Sequence, residues 1–110
     1  MKQQKESNQD YDNMLDEFKK MAQSLVSLNE QAYQVYLPLV DAIIQSKSKD
    51  EKEIGHLLDR ILDIACMEKG LILYKKLCRY YWDINPNATA YYINAYRETW
   101  DSETLDEEKN

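Results

Sequence analysis

The sequence predicts an all-α fold, an antiparallel helical bundle of three principal helices with the first kinked at Pro38. Three observations lead there. Only two glycines and two prolines interrupt 110 residues, too little turn punctuation for a β-sandwich or barrel. Apolar side chains recur at three- and four-residue intervals over long stretches, the period of a helix that buries one face. Finally, 44% hydrophobic against 31% charged residues supplies a core for one domain, and a chain of this length makes one domain.

The first helix carries the strongest signal. Tyr11, Phe18, Leu25, Ala32 and Leu39 recur every seven residues, with a second row at Met14, Met21, Leu28, Val35 and Ala42. A third row, Leu15, Ala22, Tyr36 and Ile43, adjoins them, and its only polar member is Asn29. The buried face is therefore a wide stripe, broader than a coiled-coil seam. Asp10 or Asn8 caps the start, and Asp12, Asp16 and Glu17 bring negative charge to the first turns, where the helix dipole favours it. Pro38 removes one backbone donor and crowds the Gln34 carbonyl, so a kink is expected. Unbroken, residues 10–46 would span about 55 Å, against a radius of gyration of ~13 Å for a compact domain of this size. Either the second half doubles back at the kink or the molecule is elongated.

Residues 46–50 read as a polar connector, with Ser48 and Glu51 as a capping box for the second helix. Leu57, Ile64, Leu71 and Cys78 again recur every seven residues. Their companions drift from Ile54, Leu58 and Ile61 to Met67, Tyr74 and Tyr81, as a nearly straight helix rotates against a seven-residue repeat. One long helix over 50–81 fits. Gly70, about 1 kcal/mol worse than alanine in a helix interior, is its weak point and the place for a break. Residues 83–87 form the clearest turn. Asn85 as N-cap and Pro86 at the first helical position start the third helix, in which Ala88, Tyr91, Tyr92, Ala95, Tyr96 and Thr99 keep helical spacing to a stop near Trp100. Residues 1–9, and the acidic 101–110 with five carboxylates and one apolar side chain, read as disordered tails around a single helical domain over 10–100.

The run Asn-Pro-Asn-Ala-Thr-Ala-Tyr-Tyr-Ile-Asn-Ala-Tyr from Asn85 to Tyr96 resembles the junction between tetratricopeptide repeats, a Pro-Asn turn ahead of a Tyr-rich helix. Aligned on Pro86, however, Tyr96 falls where that repeat needs glycine or alanine for close helix approach, and no second copy of the motif exists. The family is not assigned.

Charge narrows the function classes. The formal net charge of −6 divides into −3, +2 and −5 over residues 1–46, 47–82 and 83–110. Such acidity is a poor basis for non-specific binding to nucleic acid or to an anionic membrane, both of which need clustered Lys and Arg. No run approaches the roughly 18 consecutive apolar residues of a membrane span, and residues 1–10 lack an apolar signal region. Cys66 and Cys78, with no Cys-x-x-Cys partner, read as reduced, packed thiols, so a cytoplasmic location is expected. Lysine outnumbers arginine eleven to three, a bias of AT-rich genomes that hints at a low-GC bacterial source.

Two constellations stand out. Tyr80, Tyr81, Trp82, Tyr91, Tyr92, Tyr96 and Trp100 converge around the second turn and form the candidate interaction surface, because tyrosine buries its ring while its hydroxyl still needs a partner; the rival reading makes most of them ordinary core, since a bundle of this length needs large side chains. Lys69, Lys75, Lys76 and Arg79 interleave with aromatic residues as phosphate contact and base stacking require. Their plainer reading is the solvated back of a helix, with Arg79 and Asp83 as an i,i+4 pair. Glu53 and His56 have the Glu-x-x-His spacing of di-iron bundles, but His56 is the only histidine, so the plainer reading is an exposed or half-buried histidine near a helix start. A single histidine and no glycine-rich phosphate loop leave no nucleophile-and-base arrangement to assemble. The expectation is a small acidic non-enzymatic interaction module, an adaptor, regulator or accessory subunit, with no cofactor and no metal. It is expected to offer its wide apolar, Tyr-rich face to a protein partner not named by the sequence, foremost a second copy of itself as a homodimer. The alternative is a nucleic-acid-associated accessory factor using residues 69–82.

Overall fold

The computed structural model describes the backbone of residues 2–101 and the side chains of residues 9–101. Among the described residues there are four helices and no strand: α1 (Lys2–Gln45), α2 (Glu51–Leu62), α3 (Glu68–Trp82) and α4 (Pro86–Trp100). The expected count of three principal helices is corrected to four, because the long second helix divides. Helix α1 begins at Lys2, within the stretch expected as a tail, and stays helical through Pro38. Beyond Asp101, the expected acidic tail lies outside the described residues. No described helix is long and apolar enough to cross a membrane.

The chain forms two compact units, Met1–Gln31 and Ala32–Asn110. In the first, every described residue belongs to α1, and every side chain from residue 9 to residue 28 is exposed.

The second unit holds the core. Val40 and Ile43 of α1, Ile54, Leu57, Leu58 and Ile61 of α2, and Leu73, Tyr74, Leu77, Cys78 and Tyr81 of α3 form one buried cluster. Helix α4 covers it with Ala88, Tyr92 and Tyr96, and its one buried residue is Thr89. Helix α1 ends in a Schellman arrangement: the Ser48 N–H donates to the Ile43 carbonyl at 3.1 Å and the Lys47 N–H to that of Ile44 at 3.2 Å. This places Lys47 at φ 55°, the left-handed conformation that glycine usually supplies.

The expected Ser48–Glu51 capping box does not form. Asp50 caps α2 instead, its Oδ1 accepting from the Glu53 N–H at 3.2 Å, while Ser48 Oγ accepts from the Asp50 N–H at 3.2 Å. At the other end of α2 the chain tightens. The N–H groups of Asp63, Ile64, Ala65 and Met67 bond to carbonyls three residues back, and this turn puts Ile64 and Ala65 into the core. Helix α3 then starts so close that a Cβ on Gly70 would overlap the Ile64 carbonyl oxygen and lie 2.7 Å from its carbon. The apolar run around Ile64 keeps helical spacing straight through the break, so only Gly70 marks it. For α4, Asn85 Oδ1 accepts from the Ala88 N–H at 3.0 Å and Pro86 opens the first turn, as the sequence indicates.

Candidate functional site

The aromatic residues expected to form one recognition surface are divided by the structure. Tyr81 lies in the core, 3% exposed, and its hydroxyl donates to Glu51 Oε1 at 2.8 Å. Asn85 Nδ2 donates to the same oxygen at 2.7 Å. The first residue of α2 therefore ties together the end of α3 and the cap of α4. These two hydrogen bonds, Asn85 first, hold the Glu51 carboxyl below the usual carboxylate range. Burial foremost, together with the bond to the carboxylate, pushes the Tyr81 phenol up to about 12.

Three further tyrosines act in the same way. Half-buried Tyr80 donates to the Ser48 carbonyl at 2.6 Å, and half-buried Tyr92 to that of Gly55 at 3.3 Å. Buried Tyr74 donates to the Tyr92 carbonyl at 2.6 Å, and its ring meets that of half-buried Tyr96 at 6.2 Å. Exposed Trp100 uses its indole Nε1 to reach the Leu62 carbonyl at 2.8 Å. Burial raises the phenols of Tyr74 and Tyr92 above their ordinary value. A tyrosine with its hydroxyl bonded to a backbone carbonyl of the next helix fixes the distance between the two elements. Four of the nine tyrosines use the phenol as such a tie. Of the candidate surface, Trp82 and Tyr91 remain well exposed, at 50% and 67%, without a side-chain hydrogen bond among the described residues.

The basic segment divides as well. Lys76 pairs with Asp41 at 2.9 Å on the surface, and Lys69 lies over the Tyr33 ring, 5.9 Å from its centroid. Lys75 and Arg79 face the other way, along a groove of about 610 Å³ between α3 and α4. Its buried lining is Tyr74, Cys78 and Thr89, flanked by Leu71, Ile93 and Tyr96. Burial pushes the Cys78 thiol up to about 12, which keeps it protonated and apolar. The expected Arg79–Asp83 ion pair does not form: both side chains line the groove without a charged partner among the described residues. Cys66 and Cys78 are both free thiols. Glu53 and His56 are exposed, and among the described residues no group of three His, Cys, Asp or Glu side chains is placed to hold a metal ion.

An exposed apolar stripe lies elsewhere. Tyr11, Met14, Leu15, Phe18, Met21, Leu25 and Leu28 are each 42–68% exposed on α1. The seven-residue rows identify these positions in the sequence as a stripe. Only half of the groove between α3 and α4 has a signal in the sequence: Leu71 and Cys78 share one seven-residue row on α3, whereas Ile93 belongs to α4 and meets them only through the fold. Comparison with protein-family models, with curated proteins and with solved structures finds no match for this chain.

Proposed function

We propose that this chain is a small non-enzymatic protein–protein interaction module that self-associates through the apolar face of residues 11–28. One observation carries the reading: the side chains of that face stand in solvent. Helices of ordinary composition draw most of their stability from packing an amphipathic face. Exposed apolar patches of this extent mark association.

A second copy is the fitting partner because the face is self-complementary. Both seven-residue rows between residues 11 and 28 are wholly apolar, so two copies meet without burying a charge. Burying the exposed part of each of the seven side chains gains roughly 1 kcal/mol. Over two copies that is on the order of 14 kcal/mol; a micromolar dimer needs about 8 kcal/mol net, which leaves about 6 kcal/mol for the cost of association, toward the lower end of its ~4–15 kcal/mol range. The alternative, nucleic-acid contact through residues 69–82, has less support. With Lys76 on Asp41 and Lys69 over Tyr33, only Lys75 and Arg79 remain for phosphates on a chain of net charge −6.

Sedimentation velocity tests the proposal. The natural chain sediments as a dimer at micromolar concentration and Leu25→Asp or Leu28→Asp as a 13.1 kDa monomer, while the core over α2, α3 and α4 keeps its cooperative unfolding. A natural chain that stays monomeric, or an aspartate variant that stays dimeric, refutes it.

A further inference from the structure

We infer that the groove between α3 and α4 is a binding site for a single-chain amphiphile with an anionic head, a carboxylate on an aliphatic tail. Its volume of about 610 Å³ lies within the range typical of small-molecule sites. The chemistry of its walls selects the ligand. The polar atoms deep in the groove already have partners: the Tyr74 hydroxyl donates to the Tyr92 carbonyl and the Thr89 hydroxyl to that of Asn85 at 2.9 Å. What the interior offers is ring faces, aliphatic carbon and a buried thiol, a surface that takes hydrocarbon and rewards no polar group.

The rim is different. Lys75 and Arg79 stand four residues apart on α3, hence on one face of the helix, and both are exposed. Among the described residues neither makes a hydrogen bond or an ion pair. Two adjacent cations at the edge of an apolar trough match one carboxylate with its tail laid into the trough. Asp83, the next residue along that row, also lines the groove. It repels an anion at that end and so places the head nearer Lys75. Exposed Ile93 on the α4 side extends the apolar wall for the tail. The reading is independent of self-association, since none of these residues lies on the face of residues 11–28.

Decanoate, kept below its micelle concentration, is the probe. In a Trp100→Phe background the fluorescence reports Trp82, which lines the groove and is the only other tryptophan. Titration shifts its emission to the blue and saturates at one decanoate per chain. Decanol, with the same tail and no charge, binds at least about ten-fold more weakly, the weight of a charge-assisted contact. Lys75→Gln/Arg79→Gln loses that preference without loss of helical circular dichroism, and Leu25→Asp leaves decanoate binding unchanged. Equal affinity for decanol overturns the inference, and this comparison needs no charge variant. So does an unmoved Trp82 signal, a response only to anionic vesicles, or binding abolished by Leu25→Asp.

Discussion

Replacing Gly70 with alanine tests the break between α2 and α3 by the sign of its effect. In an unbroken helix over 50–81, alanine at this position would add about 1 kcal/mol of stability, the ordinary difference between the two residues in a helix interior. In the observed fold the new Cβ overlaps the Ile64 carbonyl oxygen, lies 2.7 Å from the carbonyl carbon and 3.1 Å from Ile64 Cγ1. Two of those atoms are backbone and cannot rotate aside. Ile64 itself is 3% exposed, so moving it disturbs the core. Overpacking of this kind costs roughly 1–3 kcal/mol. Shifting the Ile64 carbonyl also endangers the bond it accepts from the Met67 N–H at 3.1 Å, worth about 1 kcal/mol. After the helix-propensity gain, a net loss of about 1–3 kcal/mol remains. Urea unfolding followed by circular dichroism, in the Leu25→Asp background so that association does not add to stability, reads it directly. A gain near 1 kcal/mol would refute the break.

Other substitutions test the remaining joints. At Lys47, held at φ 55°, glycine relieves the left-handed strain and raises stability by about 0.5–1 kcal/mol, visible as a higher urea midpoint with an unchanged slope. Gly55→Ala brings a Cβ within 2.8 Å of the Tyr92 hydroxyl, the movable end of a side chain, so helix gain and the lost Tyr92–Gly55 bond offset to within about 1 kcal/mol. Because the Glu51 carboxyl is held below 4.5, its contribution is present above that pH and lost as pH falls through the lower folded value. Thermal melts of the natural chain and of Glu51→Gln therefore differ at neutral pH and converge in acid. At the alkaline end the raised groups favour the protonated form in the folded state. Stability falls as pH rises from 9.0 for Cys78 and 10.0 for Tyr81 toward about 12 for both, and ultraviolet titration shows Tyr81 ionising above its ordinary range, with unfolding.

The helical class and the ends of α4 were legible because they rest on local chemistry: Asn85 and Pro86 cap and open a helix through their own side chains. The break after Leu62 was legible only through Gly70, since tight turns three residues apart preserve the apolar period that a continuous helix would show. The tyrosine cluster stayed open between interface and core for a related reason. A phenol suits an interface and a helix-to-helix tie equally well, and only the acceptors on Ser48, Gly55, Tyr92 and Glu51 distinguish them. The charged row on α3 shows the same limit. Helical spacing puts Arg79 and Asp83 within reach of each other, yet the pair does not form. The stripe on α1 was plain from the sequence, as was the expectation that it exceeds what one copy covers.

The most direct measurement of that expectation uses the one phenylalanine in the chain, whose ring signals are unambiguous. In an equimolar mixture of isotopically labelled and unlabelled protein, a filtered nuclear Overhauser experiment detects contacts between copies only. Self-association through residues 11–28 predicts cross-peaks from the Phe18 ring of one copy to the methionine and leucine methyls of residues 14–28 of the other. A well-folded sample that gives no such cross-peak at high concentration, with Phe18 still in solvent, contradicts it.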